Sequence, residues 1–434
     1  MTSFADLPPG THTVEVVITD NHGVLRGKRI PASRWDTVKD EGIALSVAAL
    51  VWGARCELRD ETPIGGMETG YPDVTVLPVP GTERALPWRP GTVQVLGQVL
   101  DETGTPSPLD PRGALRSVLA EFAELGYTAK LALEMEFYLL DPGTRRPHET
   151  DVNCYAVDDG GFEEKILAPL RNQLLEFGVP VEASNIEYAP GQFEVNLRYE
   201  DALDAVDNGV RFRSAVKEIA RQHGYLATFM GKPFDELSGS GMHVHQSLWK
   251  DGVNAFRDDA AEYRLSETAL RYVAGLHANI RDLSLLGSPT ANDFKRRQDN
   301  TFCPTTVSWG TDNRTVAIRA ITAGGATRVE QRDAAADCNP YLAVAGQLAA
   351  GLSGIREGLT PPPPCTGDAY TEPTAVRLPT TVEESSTLLE QSALARRTFT
   401  KDLLDVYVDT CRYEYRMVTA PVTDVERNRY LGVF

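Results

Sequence analysis

Six residues that could bind divalent cations lie in short segments whose residue types alternate as in β-strands. Alternate residues of a strand point to the same face, so Glu134 and Glu136 are expected together, with Met135 pointing into a core. Carboxylates beside a strand core are stabilised by hard cations or by arginines. Oxygen and imidazole ligands without thiolates favour Mg²⁺ or Mn²⁺ next to the phosphates of a nucleotide. The six residues are Glu134, Glu136, Glu187, Glu194, His243 and Glu330.

A single Glu-x-Glu or His-x-His within an apolar alternation is typical of an ordinary strand with one face in solvent. The order of several such motifs along the chain is more informative. Glu-x-Glu in LALEMEFYLL is followed by IEYAPGQFEVNL with two glutamates, by GSGMHVH, by an Asn-Arg strand in NRTVAIR, and by Arg-x-Glu-x-Arg in TRVEQR. This series resembles that of the glutamine synthetase family. The resemblance extends from GVLRGKRIP through GYPDV and LPW to CNPYLA.

The predicted fold class is α+β. The resemblance implies a small β-grasp-like N-terminal domain at residues 1–104 and a catalytic domain at residues 105–434, in which helices back a curved, mainly antiparallel sheet. The residue pattern itself predicts a hairpin at residues 11–30 and, after a Pro/Gly-rich joint, a helix with Asp110 as N-cap and Pro111 at its first position. Further helices are predicted at about residues 163–178, 201–223, 262–283, 340–353 and 385–415, and a long surface loop at residues 361–381.

For the metal site, the resemblance implies two or three ions of Mg²⁺ or Mn²⁺. One ion, next to the transferred phosphoryl group, would be held by Glu134, His243 and Glu330. The ligands of the other ion would be Glu136, Glu187 and Glu194.

Five of the arginines between residues 296 and 332 are singled out beside these ligands. A single arginine would be interpreted as a surface ion-pair partner. A group interleaved with a metal ligand favours anion recognition, because the guanidinium presents a fork of donors that matches carboxylate and phosphate. The resemblance implies that Arg296 and Arg332 hold the carboxylates of glutamate. It also implies that Arg314, Arg319 and Arg328 face ATP and the phosphoryl group.

The resemblance assigns further contacts. Glutamate would meet Ser238 and the backbone of Gly239, where only glycine permits a close approach. Arg296, Arg314 and Glu330 would be the catalytic residues. The nucleotide side would be lined by His245, Ser247, Glu182 and Tyr199, in addition to Arg319 and Arg328.

The resemblance also implies a reaction in two steps. ATP would phosphorylate the γ-carboxylate of L-glutamate to give γ-glutamyl phosphate and ADP, because a carboxylate is a poor electrophile until phosphate provides a leaving group. A small amine would then attack the acyl phosphate, and inorganic phosphate would leave.

Three departures from the glutamine synthetase pattern concern the ammonium pocket. The stretch ALSVAALVWGARCEL has no acid before Glu57, where the family has an Asp donated to the neighbouring subunit. Phe302 or Cys303 stands where the family has a loop glutamate, and Ser238 replaces an asparagine. Because a site without those acids loses the charges that bind a cation, the pattern favours the γ-glutamyl-amine ligase branch. Members of that branch join glutamate to polyamines, ethanolamine, alkylamines or anilines.

The chain is therefore predicted to be an ATP-dependent glutamate–amine ligase. We expect residues 48–52 of one subunit, including Trp52, and Phe302 of the next to form an apolar wall for the amine. Two alternatives stay open. One is a glutamine synthetase that uses ammonium through acids at other positions, with Asp299 and Glu57 as candidates. The other is a non-catalytic scaffold of the same fold, which is disfavoured because no metal ligand is missing.

Composition bounds the partners of the chain. A length of 434 residues suffices for two domains. The net charge of −18 argues against nucleic acid or an anionic membrane surface, and no apolar run is long enough to span a bilayer. The six cysteines are scattered without a Cys-x-x-Cys pair, which predicts free thiols in the cytoplasm. The family resemblance implies a homo-oligomer of twelve subunits in two six-membered rings.

Overall fold

The computed structural model describes residues 3–59, 62, 64–148, 151–157, 164–372 and 375–434. Two β-sheets organise these residues, one of six strands near the N-terminus and one of ten strands in the remainder. Helices pack against both sheets, so the predicted α+β class is confirmed.

The first sheet is mixed. Its strand order is β2-β1-β6-β4-β3, with β5 beside β6. β1 and β6 run parallel, and the other pairs are antiparallel. The predicted hairpin is confirmed, but a β-grasp architecture and the boundary at residue 104 stay predictions. The elements are β1 (Thr13–Thr19), β2 (Leu25–Pro31), α1 (Trp35–Glu41), β3 (Ile43–Ser46), α2 (Ala48–Val51), β4 (Asp73–Pro78), β5 (Arg84–Ala85) and β6 (Thr92–Leu100).

The helix α3 (Pro111–Glu124) begins where the sequence predicts. The side chain of Asp110 accepts a hydrogen bond from the backbone N–H of Arg112 at 3.0 Å, and Pro111 occupies the first turn, where its missing N–H is no loss.

The second sheet is almost entirely antiparallel, as predicted. Its order is β14-β15-β16-β12-β7-β9-β8, and only β14 and β15 run parallel. The short strands β10 and β11 pair with β7, and β13 pairs with β12. The strands are β7 (Thr128–Leu140), β8 (Val181–Ile186), β9 (Gln192–Leu197), β10 (Glu200–Asp201), β11 (Leu226–Thr228), β12 (Met242–Lys250), β13 (Val253–Asn254), β14 (Trp309–Thr311), β15 (Ile318–Ile321) and β16 (Arg328–Gln331).

Helices cover the inner face of this sheet. The helix α5 (Ala202–Gln222) packs closely on β7 because residue 209 is glycine, and a Cβ there would lie 2.4 Å from Leu133. The helices that follow α3 are α4 (Glu164–Glu176), α5 (Ala202–Gln222), α6 (Glu267–Asn279), α7 (Ser284–Gly287), α8 (Ala291–Arg296), α9 (Pro340–Glu357), α10 (Val382–Gln391), α11 (Ala393–Thr398), α12 (Lys401–Thr419) and α13 (Asp424–Tyr430).

The single helix predicted at residues 385–415 is wrong. Three helices occupy the region, because the side chains of Ser392 and Thr400 cap new helices by accepting backbone hydrogen bonds from Ala395 and Leu403, each at 3.2 Å. Residues 262–283 also differ from prediction, since Ser266 caps α6 and delays its start. In contrast, α9 continues beyond residue 353 until Gly358, which adopts a left-handed conformation with φ of 65°.

Two other predictions agree with the structure. The described part of residues 361–381 contains no helix or named strand, and all six cysteines are free thiols. Among the described residues, no helix combines the length and apolarity needed to cross a bilayer.

Candidate active site

Strand β7 carries the first two predicted metal ligands. Leu133, Met135 and Phe137 are at most 1% exposed, whereas the side chains of Glu134 and Glu136 between them are half-buried on the opposite face. The predicted alternation along β7 is therefore confirmed.

Strand register brings further predicted ligands to the same region. His243 of β12 pairs with Glu134, Glu194 of β9 pairs with Glu136, and Glu330 lies on β16, the next strand beyond β12. Glu187, the sixth predicted ligand, follows β8 in the turn to β9. We refer to these residues as the carboxylate cluster: Glu134, Glu136, Glu187, Glu194, His243 and Glu330.

On one side of the cluster, Nδ1 of His243 lies 2.7 Å from Glu134 and 3.7 Å from Glu330. Ligand atoms of Glu134, His245 and Glu330 also lie within 4.8 Å of one another. Hydrogen bonding separates the two histidines. Nε of Arg328 donates to Nδ1 of His245 at 3.1 Å, so neutral His245 carries its proton on Nε2, which faces Glu134 at 3.3 Å. Nε2 of His245 is thereby directed at Glu134, as Nδ1 of His243 also is, and His243 stays the ligand that the resemblance implies.

The carboxylates of Glu136, Glu187 and Glu194 meet on the other side of the cluster. Each accepts a hydrogen bond from a neighbouring amide at 2.7–2.8 Å. Burial and then the charge of Glu136 raise the pKa of Glu187 to about 7. Burial and then the charges of the other cluster carboxylates raise the pKa of Glu194 to about 10. Because a divalent cation would allow these groups to be ionised together, the donor set fits a hard metal ion.

The carboxylates on the histidine side behave in the opposite way. Burial would raise the pKa of Glu134, but hydrogen bonds from His243 and His245 outweigh it and hold the pKa well below its usual range. Burial is also outweighed at Glu330, where the charge of Arg332 and of both histidines lowers the pKa to about 2. These two carboxylates are therefore already ionised for a cation.

Two of the predicted arginines bind the cluster directly. Nη1 of Arg319 donates to Glu330 at 3.0 Å, and Arg332 donates to the other oxygen of the same carboxylate. Arg296 is buried, and its guanidinium donates to the backbone oxygens of Asp333 and Arg332, both at 3.1 Å. Glu330 is consequently held by two cations within the protein as well as lying beside His243.

Arg314 occupies a different setting from the one predicted. The segment NRTVAIR was expected to be a strand throughout, but β15 begins only at Ile318. The side chain of Asn313 accepts hydrogen bonds from the backbone and hydroxyl of Thr315, at 2.9 and 2.8 Å, and stabilises a turn instead. Arg314 is exposed in this turn, and its catalytic role stays a prediction.

Two cavities flank the carboxylate cluster. The first has a volume of about 400 Å³, and Glu134 lines it. The second has a volume of about 530 Å³, and Glu136, Glu187 and His243 line it. Among the predicted nucleotide residues, those lining the first cavity are Glu182, Tyr199, His245, Ser247 and Arg328. Among the predicted substrate residues, those lining the second are Ser238, Gly239, Arg296, Phe302 and Arg332.

Five predicted site residues line neither cavity among the described residues. They are Arg314, Arg319, Trp52 and the cluster residues Glu194 and Glu330. Sequence reasoning also missed Trp249 and Lys130, two residues that line the first cavity. The rings of Tyr199 and Trp249 stack with centroids 6.2 Å apart, and the ammonium of Lys130 lies 5.3 Å from the Trp249 ring. The alternation of β12 held the signal, since Trp249 shares the face of His245 and Ser247.

Comparison with known proteins agrees with this geometry. The profile of the family described as glutamine synthetase, catalytic domain, matches residues 108–430. The chain belongs to the glutamine synthetase family.

Relatives within the glutamine synthetase family are similar over nearly the full chain. Glutamate–isopropylamine ligase from a Pseudomonas species is 35% identical, over 97% of this chain and 95% of that protein. The γ-glutamylethanolamide synthetase GlnA4 of Streptomyces coelicolor is 37% identical, over 96% and 92% respectively. A solved structure of a GmaS/ADP complex superposes with a TM-score of 0.88 at 30% identity, covering 98% of this chain and 97% of the other.

Residues 48–51 do not form the amine-pocket wall that was predicted for them. Ala48 and Ala49 are at most 4% exposed, and Leu50 and Val51 pack into the core of the first sheet. These four side chains are already covered within their own chain, so the predicted wall is wrong for them. Trp52 is half-buried beneath the guanidinium of Arg26, 5.0 Å from its ring, and its substrate role stays a prediction.

The two carboxylates considered as replacement ammonium ligands have structural partners. Asp299 forms an ion pair with Arg377 at 3.0 Å and accepts a hydrogen bond from Thr305 at 2.6 Å. Glu57 accepts a hydrogen bond from the backbone of Arg55 at 2.9 Å, within a turn of the same chain. Neither is among the described residues that line the second cavity.

Proposed function

We propose that this chain is an ATP-dependent ligase that activates the γ-carboxylate of L-glutamate and joins it to an amine other than ammonia. The observation that carries the proposal is the second cavity. It adjoins the carboxylate cluster, and its loop at residues 298–303 contributes the side chain of Phe302, while the one acid of that loop, Asp299, is paired with Arg377. Glutamate–amine ligases among the relatives support the same assignment.

The first cavity suits the nucleotide in this proposal. Its volume of about 400 Å³ lies within the usual range for small-molecule sites. Arg328 offers donors to phosphate, and His245 and Ser247 line the same cavity on one strand face. The stacked pair of Tyr199 and Trp249 offers an aromatic surface to a base.

The second cavity suits glutamate and the amine. Arg332 lies beside the cluster through Glu330, and Arg296 lies against Gly239, where a Cβ would come within 2.6 Å of the Arg296 side chain. We assign these two arginines to the carboxylates of glutamate, because guanidinium groups bind carboxylates through paired donors. The γ-carboxylate would then lie toward the cluster and the nucleotide phosphates.

In the first step a γ-carboxylate oxygen attacks the terminal phosphorus of ATP, and the bond to the bridging oxygen breaks to release ADP. In the second step the amine nitrogen attacks the acyl carbon of γ-glutamyl phosphate, loses a proton, and expels inorganic phosphate. Divalent ions, when bound, neutralise charge on the phosphates during transfer. The proposed ligands are Glu134, His243 and Glu330 for one ion, and Glu136, Glu187 and Glu194 for the other.

The proposal extends to the assembly and the compartment. A homo-oligomer of twelve subunits in two rings is inherited from the family resemblance, and the six free thiols suit the cytoplasm. Sedimentation tests the first part, since an active monomer near 47.5 kDa would contradict it.

Glutamate-dependent ADP release, measured with a panel of amines that includes ammonium, tests the proposal. We expect at least one organic amine to exceed ammonium in kcat/KM. A specificity constant for ammonium above that of every amine would instead support a glutamine synthetase, a name carried by relatives such as the enzyme of Methanosarcina mazei, 32% identical over 97% of this chain. Absence of ADP release with any acceptor would support a non-catalytic scaffold.

A further inference from the structure

Two large aromatic side chains are exposed where the second cavity meets the solvent. Tyr188 is 62% exposed and Phe302 is 58% exposed, and both line this cavity beside Glu187. Exposed aromatic groups that line a substrate cavity are candidates for contact with an apolar part of the substrate.

The backbone holds Phe302 in an uncommon conformation. Its φ is 57°, and that of Asn300 in the same loop is 65°. Such left-handed conformations are unfavourable for residues with a bulky side chain, and they occur preferentially at functional sites. Asp299 pairs with Arg377 at the base of the loop, and the backbone oxygen of Phe302 lies 3.5 Å from the guanidinium of the buried Arg332. The ring is thereby displayed at a defined place.

Tyr188 is also displayed by a rigid turn. Its backbone N–H donates to the carboxylate of Glu187 at 3.3 Å. The turn is closed by the hydrogen bond from Glu187 N–H to the backbone oxygen of Gln192 at 2.9 Å, and Gly191 supplies the required positive φ of 72°. The turn thereby fixes the backbone from which the Tyr188 side chain extends along the cavity.

The charges around the cavity argue against a cationic substituent on the amine. Glu236 lines the cavity, but it is paired with Arg146 at 2.6 Å. Asp235 also lines it, within the electrostatic reach of Lys232. Since both acids have a cation nearby, the cavity offers the distal ammonium of a diamine no uncompensated carboxylate outside the carboxylate cluster among its described lining residues.

We infer that Tyr188 and Phe302 determine the specificity for the amine, and that the cavity selects a primary amine with an apolar alkyl or aryl substituent. This inference rests on the proposed ligase function. The nitrogen would lie toward the carboxylate cluster, and the substituent would lie against the two aromatic rings. Its burial would favour such amines over ammonium and methylamine, because the removal of apolar surface from water is favourable.

The test compares acceptors in the full-length enzyme with glutamate, ATP and Mg²⁺. Hydroxylamine reports activation of glutamate independently of a substituent, through the γ-glutamyl hydroxamate. Benzylamine and isobutylamine probe the apolar surface, and ammonium, methylamine and putrescine are the competitors. We expect benzylamine or isobutylamine to have the highest kcat/KM among the amines.

Phe302→Ala and Tyr188→Ala are each expected to lower kcat/KM for the apolar amines roughly 10- to 200-fold, mainly through KM. Hydroxamate formation should fall by a smaller factor in each variant than kcat/KM for the apolar amines, because hydroxylamine has no apolar substituent to bury. Tyr263→Ala is the matched control for Phe302→Ala. Tyr263 has a φ of 59° and packs against Trp309 outside the cavity, so its replacement should change kcat/KM for neither hydroxylamine nor the apolar amines.

Each contrary result has a distinct meaning. A wild type that forms no hydroxamate contradicts the proposed ligase function itself. Hydroxamate formation together with higher kcat/KM for ammonium, methylamine or putrescine overturns the inference and leaves the ligase function intact. Equal losses of hydroxamate and benzylamine activity in Phe302→Ala and Tyr188→Ala would show that the rings support the fold, and would also overturn the inference.

Discussion

The two cavities beside the carboxylate cluster are built from different parts of the chain. The first is lined mainly by strands, with Glu134 from β7, His245 and Ser247 from β12, and Asn196 from β9. The second takes much of its lining from connecting segments, at residues 187–188, 232–239 and 298–303. The carboxylate cluster lies between them, since Glu134 lines the first cavity and Glu136, Glu187 and His243 line the second.

This difference explains where sequence reasoning succeeded. In a strand, a period of two residues fixes which side chains share a face, and antiparallel register fixes which ones are neighbours. A loop has no such period, so the direction of Phe302 or Tyr188 depends on turns that distant residues stabilise, such as Asp299 with Arg377. We therefore expect the first cavity to resemble those of relatives more closely than the second.

The largest expected effect on activity comes from a substitution in the carboxylate cluster. Glu330→Gln should lower glutamate-dependent ADP release by roughly three orders of magnitude or more with every amine, because it weakens the charge stabilisation next to the phosphoryl group. The glutamine is preferred to alanine, since Glu330 is buried and pairs with Arg319 and Arg332. Removing its side chain would leave the buried guanidinium of Arg332 without its carboxylate and would destabilise the fold, whereas Arg319 would keep its ion pair with Asp312.

Thermal unfolding separates loss of chemistry from loss of fold in this variant. Glu390→Gln is the control, because Glu390 is an exposed partner of Arg412, at 2.6 Å. Near-normal ADP release in Glu330→Gln would contradict the placement of the metal site in the carboxylate cluster.

Without metal ions, the stability of the protein should depend on pH because of the excess negative charge of the cluster. Unfolded glutamates ionise near pH 4.5, whereas in the metal-free fold the pKa is about 7 for Glu187 and about 10 for Glu194. These two groups therefore make their full contribution to the free energy of unfolding below pH 4.5. That contribution is lost as the pH rises toward 10. Each extra proton held by the folded state gives a slope of about 1.4 kcal/mol per pH unit.

Mg²⁺ binds the ionised carboxylates, so the gain in melting temperature from Mg²⁺ relative to EDTA should grow between pH 6.5 and pH 8.5. Glu194→Gln should flatten the pH dependence of the metal-free protein. A Mg²⁺ effect that stays constant over this range would contradict the proposed ligand set.

A smaller and more selective effect is expected in the first cavity. Arg328→Ala should raise KM for ATP by roughly 10- to 150-fold, the usual range for losing a hydrogen bond to a charged group. KM for glutamate and for the amine should change little, because Arg328 does not line the second cavity. Steady-state kinetics with each substrate varied in turn checks this, with Arg412→Ala as the control. Equal increases in all three KM values would contradict the division into two cavities.

The smallest effect concerns the loop of the second cavity. Asp299→Asn weakens the ion pair with Arg377, both of which are exposed, and exposed pairs contribute little to stability, at about 0–1 kcal/mol. We expect KM for a bulky amine to rise less than about fivefold, since such pairs hold a loop only weakly, while KM for ATP stays constant. A change confined to KM for ATP would contradict the assignment of this loop to the amine side.

The sequence by itself determined the family, the α+β class and the identity of the carboxylate cluster. These features depend on residue type, on order along the chain and on the alternation in β7 and β12, all of which are local. The N-cap of α3 was equally local, because Asp110 and Pro111 adjoin the helix that they start.

The tertiary structure decided the points that depend on distant contacts. The side chains of Ala48–Val51 turned out to be buried in the first sheet, so they do not form the amine-pocket wall that their apolar character predicted. The pairing of Arg328 with His245 distinguished the two histidines of GSGMHVH, which are equivalent by alternation alone. Tyr188 and Phe302 became neighbours of one cavity only because the chain folds residues 188 and 302 around the same sheet.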